Sequence, residues 1–379
     1  MRRISSAYPS ITREGFIDNA PSIVVGGKRA SSMMPQNPRI YLIHVGKAGG
    51  STLVRALKLV DTPRAVKCMV NMTRAGGDGT SSCYRHPRGV SQLTRHTLGF
   101  FHMEGLLIPK EGRTWLLNNT NVFLFTVRDP ISRLISAYNY HKHEYRNVTK
   151  FPSHAKFYTQ CFSDGFDAMI DDLRNLSSVE CSKMGVSSLL GKIRTGGLHF
   201  EFNYEYYMKY TLGQRPNHAV AVVRTEHMWE DVVHLDQVLG GTGNFGKMDG
   251  FKFTHGSENY TGTTDISTSN TVFLCCLISR EMEVYQQMIL KAVNLDDKQK
   301  RDSLKDLLGR CHIKPPIEDA LQHPFSWRAF RQGETCSGTL RNVSESLSVP
   351  SMSKNAPAIV VGGKRASSMM PKNPRRISP

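Results

Sequence analysis

Residues 39–60 read RIYLIHVGKAGGSTLVRALKLV. Ile40, Tyr41, Leu42, Ile43 and Val45 form a β-rich run of strand length, stopped by Gly46 and the pair Gly49-Gly50. Beyond Ser51, Leu53, Val54, Leu57 and either Val60 or Ala56 fall at helical spacing. The stretch therefore reads as strand, glycine loop, helix. A glycine turn ahead of a helix turns backbone N–H groups and the positive end of the helix dipole toward an anion. Lys47 adds a full charge, and Ser51 and Thr52 add hydroxyl donors. Glycines alone would suit an ordinary strand-to-helix turn, but this combination of lysine, paired glycines and hydroxyls is more specific. A nucleoside triphosphatase loop needs G-x-x-x-x-G-K-[ST], with lysine after the glycines. Here Lys47 precedes them, so a P-loop kinase or phosphotransferase is only the rival reading.

A second stretch, residues 122–138, reads VFLFTVRDPISRLISAY. Its first six residues are the continuous apolar run of a strand buried on both faces. Asp129 suits an N-cap and Pro130 the first helical turn. Ile131, Leu134, Ile135 and Tyr138 then share one apolar face. Arg128 ends the strand where a cation reaches into a cleft, and Ser136 lies about two turns into the helix. Together they can clamp one phosphate. The bland alternative is an N-capped helix with incidental arginines. Residues 98–102 and 219–225 read as two more strands, and helices are expected near 164–175, 201–212, 227–239 and 280–309. Strands alternating with helices predict an α/β fold whose central parallel sheet is flanked by helices. In such sheets ligands bind beyond the carboxyl ends of the strands, where both motifs fall.

The two motifs together resemble the cofactor-binding elements of the sulfotransferase superfamily. The form H-V-G-K-A-G-G-S-T is closer to the Golgi carbohydrate enzymes of the heparan sulfate 2-O- and 6-O-sulfotransferase kind than to the cytosolic small-molecule enzymes. The resemblance spans about residues 39–144. It implies a P-loop-like three-layer fold and, as sulfuryl donor, 3′-phosphoadenosine 5′-phosphosulfate (PAPS), with no metal. Lys47, Gly49, Gly50, Ser51 and Thr52 would bind the 5′-phosphosulfate. Arg128 and Ser136, in an R-D-P-x-x-R-x-x-S-x-Y element, would bind the 3′-phosphate. Ala48 departs from the family, which usually has threonine there, and one hydroxyl contact is lost.

Sulfuryl transfer to an alcohol needs a base for the hydroxyl proton and a cation for the leaving phosphate oxygen. Lys47 suits the second task. For the first, residues 95–104 read RHTLGFFHME, a short apolar strand ending in His102. A neutral imidazole there is matched to proton abstraction near neutral pH, and the carbohydrate enzymes carry a base histidine in the corresponding region. His102 is the expected base, Glu104 its orienter or alternative, and His96 the second choice. His141 and His143 are expected to face solvent or the acceptor. Residues 224–227, RTEH, read equally well as cofactor contacts or as a helix cap.

The chain of 379 residues carries 49 Lys and Arg against 32 Asp and Glu, a net +17. That excludes an acidic or fully disordered chain and points to an anionic partner. Residues 1–38 form a basic arm without helical or strand periodicity, and residues 337–379 a basic tail, leaving 39–336 as the catalytic domain. Residues 19–39 and 355–375 are near-copies differing at Ser22/Ala358 and Gln36/Lys372. Such a pair is expected from a partial tandem duplication, or from a second catalytic unit cut short. A non-enzymatic nucleic-acid binder would need aromatics among its basic residues or a known module, and neither is evident. Nucleic acid is therefore not an expected partner; a glycan or glycoconjugate acceptor is.

The eight cysteines include no metal-spaced pair, so zinc is not expected; adjacent Cys275 and Cys276 must pair elsewhere or stay reduced. Six sequons, at Asn71, Asn118, Asn147, Asn175, Asn259 and Asn342, agree with a glycoprotein of the Golgi lumen or secretory pathway. No signal peptide or membrane anchor is visible, which leaves a cytoplasmic location as the alternative.

Overall fold

Among the described residues four strands build the sheet: β1 (Ile40–Ile43), β2 (Thr97–Phe101), β3 (Val122–Val127) and β4 (Ala219–Arg224). They are hydrogen-bonded in the order β2-β1-β3-β4, and every pair is parallel. The computed structural model describes residues 34–57, 91–101, 114, 117–144, 152–192, 195–243, 265–314, 321 and 324–337, with only the backbone described at Gly99 and Phe101. The second copy of the repeat, and the first copy before Met34, lie outside the described residues.

All of β1 and β3 is buried, as a continuous apolar run requires of a strand covered on both faces. The two-residue alternation of strand side chains splits this apolar material into two layers. Ile40, Leu42, Val122, Leu124, Ala221 and Val223 face one core. It is closed by α1 (Gly50–Ala56), α2 (Gln92–His96) and α7 (Met228–Val238) through Leu53, Leu93, Met228, Val232 and Leu235. Tyr41, Ile43, Phe123, Phe125, Val127, Val220 and Val222 face the other, larger core. Against it pack α3 (Pro130–Glu144), α4 (Phe166–Asn175), α5 (Val179–Leu189) and α6 (Tyr204–Tyr210), followed by α8 (Thr268–Leu277), α9 (Ser279–Lys291) and α10 (Asp297–Arg310). The three-layer α/β arrangement expected from the alternating elements is thus the observed one.

Residues 280–309 form two helices instead of the single one expected. Ala292 leaves helical geometry and bridges Val220, Val293 N donates to the Val220 carbonyl, and the buried Asn294 side chain exchanges two hydrogen bonds with the Val222 backbone. The break supplies partners to the outer edge of β4, groups that would otherwise be buried without any. Asp296 then starts α10 with a capping box completed by Gln299.

The adjacent cysteines both find partners: Cys275 bonds Cys311 at the end of α10, and Cys276 bonds Cys336 beyond α11 (Trp327–Gln332). Cys161–Cys181 is a third disulfide. Among the described residues no helix is long and apolar enough to cross a membrane.

From β1 the chain passes first to β2 on one side, then to β3 on the other. The winding direction reverses between β1 and β3. The crevice beyond their carboxyl ends is the topological switch point at which open α/β sheets bind ligands.

Candidate active site

Both sequence motifs open into that crevice, because Ile43 and Phe125 are register partners on neighbouring strands. Lys47 has φ 66° and Gly49 φ 75°, so the loop turns through the left-handed region twice. Glycine occupies that region at little cost, whereas lysine is strained there. At Gly50 a Cβ would lie 1.9 Å from the His44 ring, so the loop can pass this close to His44 only without a side chain. Ser51 Oγ lies 3.4 Å from His44 Nε2. Thr52 and Ala48 are buried. Ala48 packs in the larger core, so a methyl at this position serves packing, not ligand contact.

The Lys47 ammonium sits 3.7 Å from the centre of the Tyr140 ring, a cation–π contact. Tyr140 lies four residues beyond Ser136 on α3, and Ser136 four beyond Ser132. This spacing places the three side chains along one face. All three are half-buried, while Ile131, Leu134, Ile135, Ala137 and Tyr138 turn to the core. The glycine loop and the second motif therefore meet on α3. Asp129 caps α3 by accepting from Ser132 N at 2.8 Å, as expected. Burial pushes its carboxyl above the ordinary value, opposed first by that N–H. We expect Asp129→Ala to lower stability by about 1 kcal/mol and Asp129→Asn to retain it; urea denaturation of the two variants checks this.

Arg128 follows β3 and is anchored through its backbone. Its N–H donates to the Tyr204 hydroxyl at 2.8 Å, and that hydroxyl donates to the Arg128 carbonyl at 2.6 Å. Its guanidinium lies 4.0 Å from Glu226. Burial raises the Glu226 carboxyl, opposed first by its own backbone N–H and then by Arg128. Tyr204 is held in turn by a buried ion pair: Arg133 Nη2 donates to Glu281 Oε1 at 2.6 Å, and Glu281 Oε2 accepts from Tyr204 N at 3.3 Å. Burial raises the Tyr204 hydroxyl far above its ordinary value. The arginine inside the second motif thus supports the site from below.

The other histidines separate by position. His96 precedes β2 and its Nδ1 meets the Pro38 carbonyl at 2.9 Å, which places it at the amino edge of the sheet, away from the motifs. His141 was expected to face solvent or acceptor but is buried, stacked on His199 and hydrogen-bonded to it. His143 is exposed as expected. β2 ends at Phe101, the register partner of Ile43, so the strand runs toward the crevice; His102 and Glu104 lie outside the described residues. In residues 224–227, Arg224 is committed to Asp231, while Thr225 donates to the Val127 carbonyl at 2.9 Å and ties the ends of β3 and β4 together. Arg133 stood in the quoted R-D-P-x-x-R element without a role, while its partner Glu281, and Tyr140 and Tyr204, had no signal in the sequence beyond their residue types.

This edge defines an α/β protein whose candidate ligand site lies at the switch point of its sheet. A model of the sulfotransferase family matches residues 31–237, more than half of the chain, and the chain belongs to that family. The general chemistry that membership carries is sulfuryl transfer to an acceptor. No curated protein and no solved structure matches the chain.

Proposed function

We propose that the protein transfers a sulfuryl group from PAPS to a hydroxyl of a carbohydrate acceptor. The observation that carries this reading is the Lys47 ammonium on the Tyr140 ring, one turn past Ser136 on α3. It brings the two anion-binding motifs onto one helix face. The residues suit a doubly anionic nucleotide: the glycine loop with Lys47 on one side, and on the other Arg128, whose buried Nε has no hydrogen-bond partner among the described residues. Such an atom calls for a ligand or water.

PAPS would supply the sulfuryl group, whose bond to the 5′-phosphate oxygen breaks as one to the acceptor oxygen forms. Gly49, Gly50, Ser51 and Thr52 would hold the 5′ end, and Lys47 would offset the charge growing on the leaving oxygen. Arg128 and Ser136 would bind the 3′-phosphate. His102 would take the acceptor hydroxyl proton. A glycan acceptor in the Golgi lumen fits the three disulfides found among the described residues, since such bonds persist in oxidising compartments. The exposed sequon residues Asn118 and Asn175 fit it as well.

Binding measurements with adenosine 3′,5′-bisphosphate and ATP test the reading. The bisphosphate should bind and ATP should not. Arg128→Ala should weaken bisphosphate binding about tenfold to a hundredfold, the worth of a lost charged hydrogen bond, while leaving kcat nearly unchanged. A protein that binds ATP but not the bisphosphate would be a phosphotransferase instead. Assay with PAPS and a panel of unsulfated glycans identifies the acceptor.

A further inference from the structure

Lys47 leaves the glycine loop on a flexible four-carbon stem, which by itself would let the ammonium sample many positions. The ammonium instead sits 3.7 Å from the centre of the Tyr140 ring. That ring is itself braced. It meets His141 edge-to-face with centroids 5.0 Å apart, and His199 edge-to-face at 6.1 Å. The two imidazoles are buried, stack at 4.5 Å and share a hydrogen bond between His141 Nε2 and His199 Nδ1. Arg133 Nη1 anchors His199 further by donating to its carbonyl at 2.9 Å.

The same His199 ring lies so close against Gly46 that a Cβ there would not fit. Gly46 is the residue before Lys47. One imidazole therefore backs both the root of the lysine and, through Tyr140, its tip. The parts come from three places in the chain: the loop after β1, the second half of α3 and the segment 198–200 ahead of α6. A carboxylate would also hold an ammonium, but it would set a negative charge beside a site that must take an anionic donor, and like charges repel. A ring face attracts the cation through its quadrupole and carries no net charge. The lysine keeps its full positive charge for a ligand.

Resting on the PAPS reading, we propose that Tyr140 is the positioning residue of Lys47: its ring face holds the ammonium without a counter-charge, so that the lysine meets the donor's leaving oxygen already in place. Preorganised charge of this kind costs no rearrangement at the moment of reaction. The buried His141–His199 pair is the backing that keeps the ring there.

The test has two readouts in the full chain. The first needs no activity: the rate at which acetic anhydride labels the Lys47 amine without nucleotide, followed by peptide mass spectrometry. Losing the ring removes a contact that favours the ammonium over the amine, so Tyr140→Leu should label about threefold to thirtyfold faster. Tyr140→Phe should label at nearly the wild-type rate. The second readout is turnover of PAPS with pooled unsulfated glycans. Tyr140→Leu should lower kcat by about threefold to thirtyfold, with KM for PAPS changed less, and Tyr140→Phe should recover most of that loss. Tyr140→Glu should keep Lys47 slow to label yet weaken binding of adenosine 3′,5′-bisphosphate about tenfold or more. Equal loss of kcat in the Phe and Leu variants would assign the effect to the hydroxyl and overturn the proposal. Unchanged labelling or kcat in Tyr140→Leu, or undiminished bisphosphate binding by Tyr140→Glu, would overturn it as well. If Tyr140→Leu does not fold, Tyr140→Met, which also fills the space without a ring, carries the comparison. Wild-type protein that does not consume PAPS would refute the PAPS reading itself, and the labelling rates distinguish that failure from the absence of a lysine–ring contact.

Discussion

Lys47→Ala should lower kcat for sulfuryl transfer about 10²–10³-fold, the usual cost of removing a group that stabilises charge developing in the transition state. Donor affinity should fall much less, because the backbone N–H groups of the glycine loop remain. Lys47 has a backbone φ of 66°, a conformation that costs any residue with a Cβ on the order of 1–2 kcal/mol. That separates function from stability. Lys47→Gly relieves the strain and should be about 1 kcal/mol more stable than Lys47→Ala, yet equally inactive. A strained lysine that glycine replaces with gain of stability is there for its charge. His102→Ala should also lower kcat, by about 10²–10⁴ for a lost general base, with bisphosphate binding intact. Lys47→Ala with more than a tenth of wild-type kcat would end its assignment to the leaving oxygen; a similar result for His102→Ala would end its assignment as base.

Arg133→Ala should be the most destabilising single change considered. It leaves Glu281 buried without its ion pair, a loss of about 3–5 kcal/mol against a total stability of about 5–15 kcal/mol for folded domains. Burial already holds the Glu281 carboxyl above its ordinary value of 4.5, with Arg133 opposing the rise. Without Arg133 the folded-state value rises further. A carboxyl whose folded value is raised is destabilising when ionised, and the deficit is absent once pH falls below the unfolded value. The variant should therefore lose most stability near pH 7 and approach wild type as pH falls toward 4.5. The apolar pair Arg133→Met with Glu281→Leu should recover much of the loss, since it leaves no buried charge. Urea denaturation across that pH range decides; an Arg133→Ala deficit below 1 kcal/mol, or one independent of pH, would contradict the account. Because Glu281 also accepts from Tyr204 N, and the Tyr204 hydroxyl holds both backbone groups of Arg128, the same change should weaken bisphosphate binding.

Much of this was legible in the residue order. β1 and β3 announce themselves as apolar runs because parallel strands are buried on both faces. The loop from Gly46 to Thr52 and the capped start of α3 are local devices, made by residues close in sequence, so spacing alone reveals them. The helices within 179–189 and 268–277 escaped notice, since short or uniformly apolar segments carry little periodicity. The break at Ala292 was hidden for a different reason: its cause is the open edge of β4, some seventy residues earlier.

The sequence by itself determined the fold class, the glycine turn between β1 and α1, the place of Arg128 at the end of β3 and the sulfotransferase family, because each rests on neighbours a few residues apart. Tertiary structure alone decided which cations still have donors to offer. Arg133, Arg224 and Arg310 are equivalent as letters. Glu281 and Asp231 consume the first two at the bottom of the site, while the Cys275–Cys311 link sets the third, half exposed, against Ser132. A guanidinium's role follows from the partners it meets in space, and those partners come from distant parts of the chain.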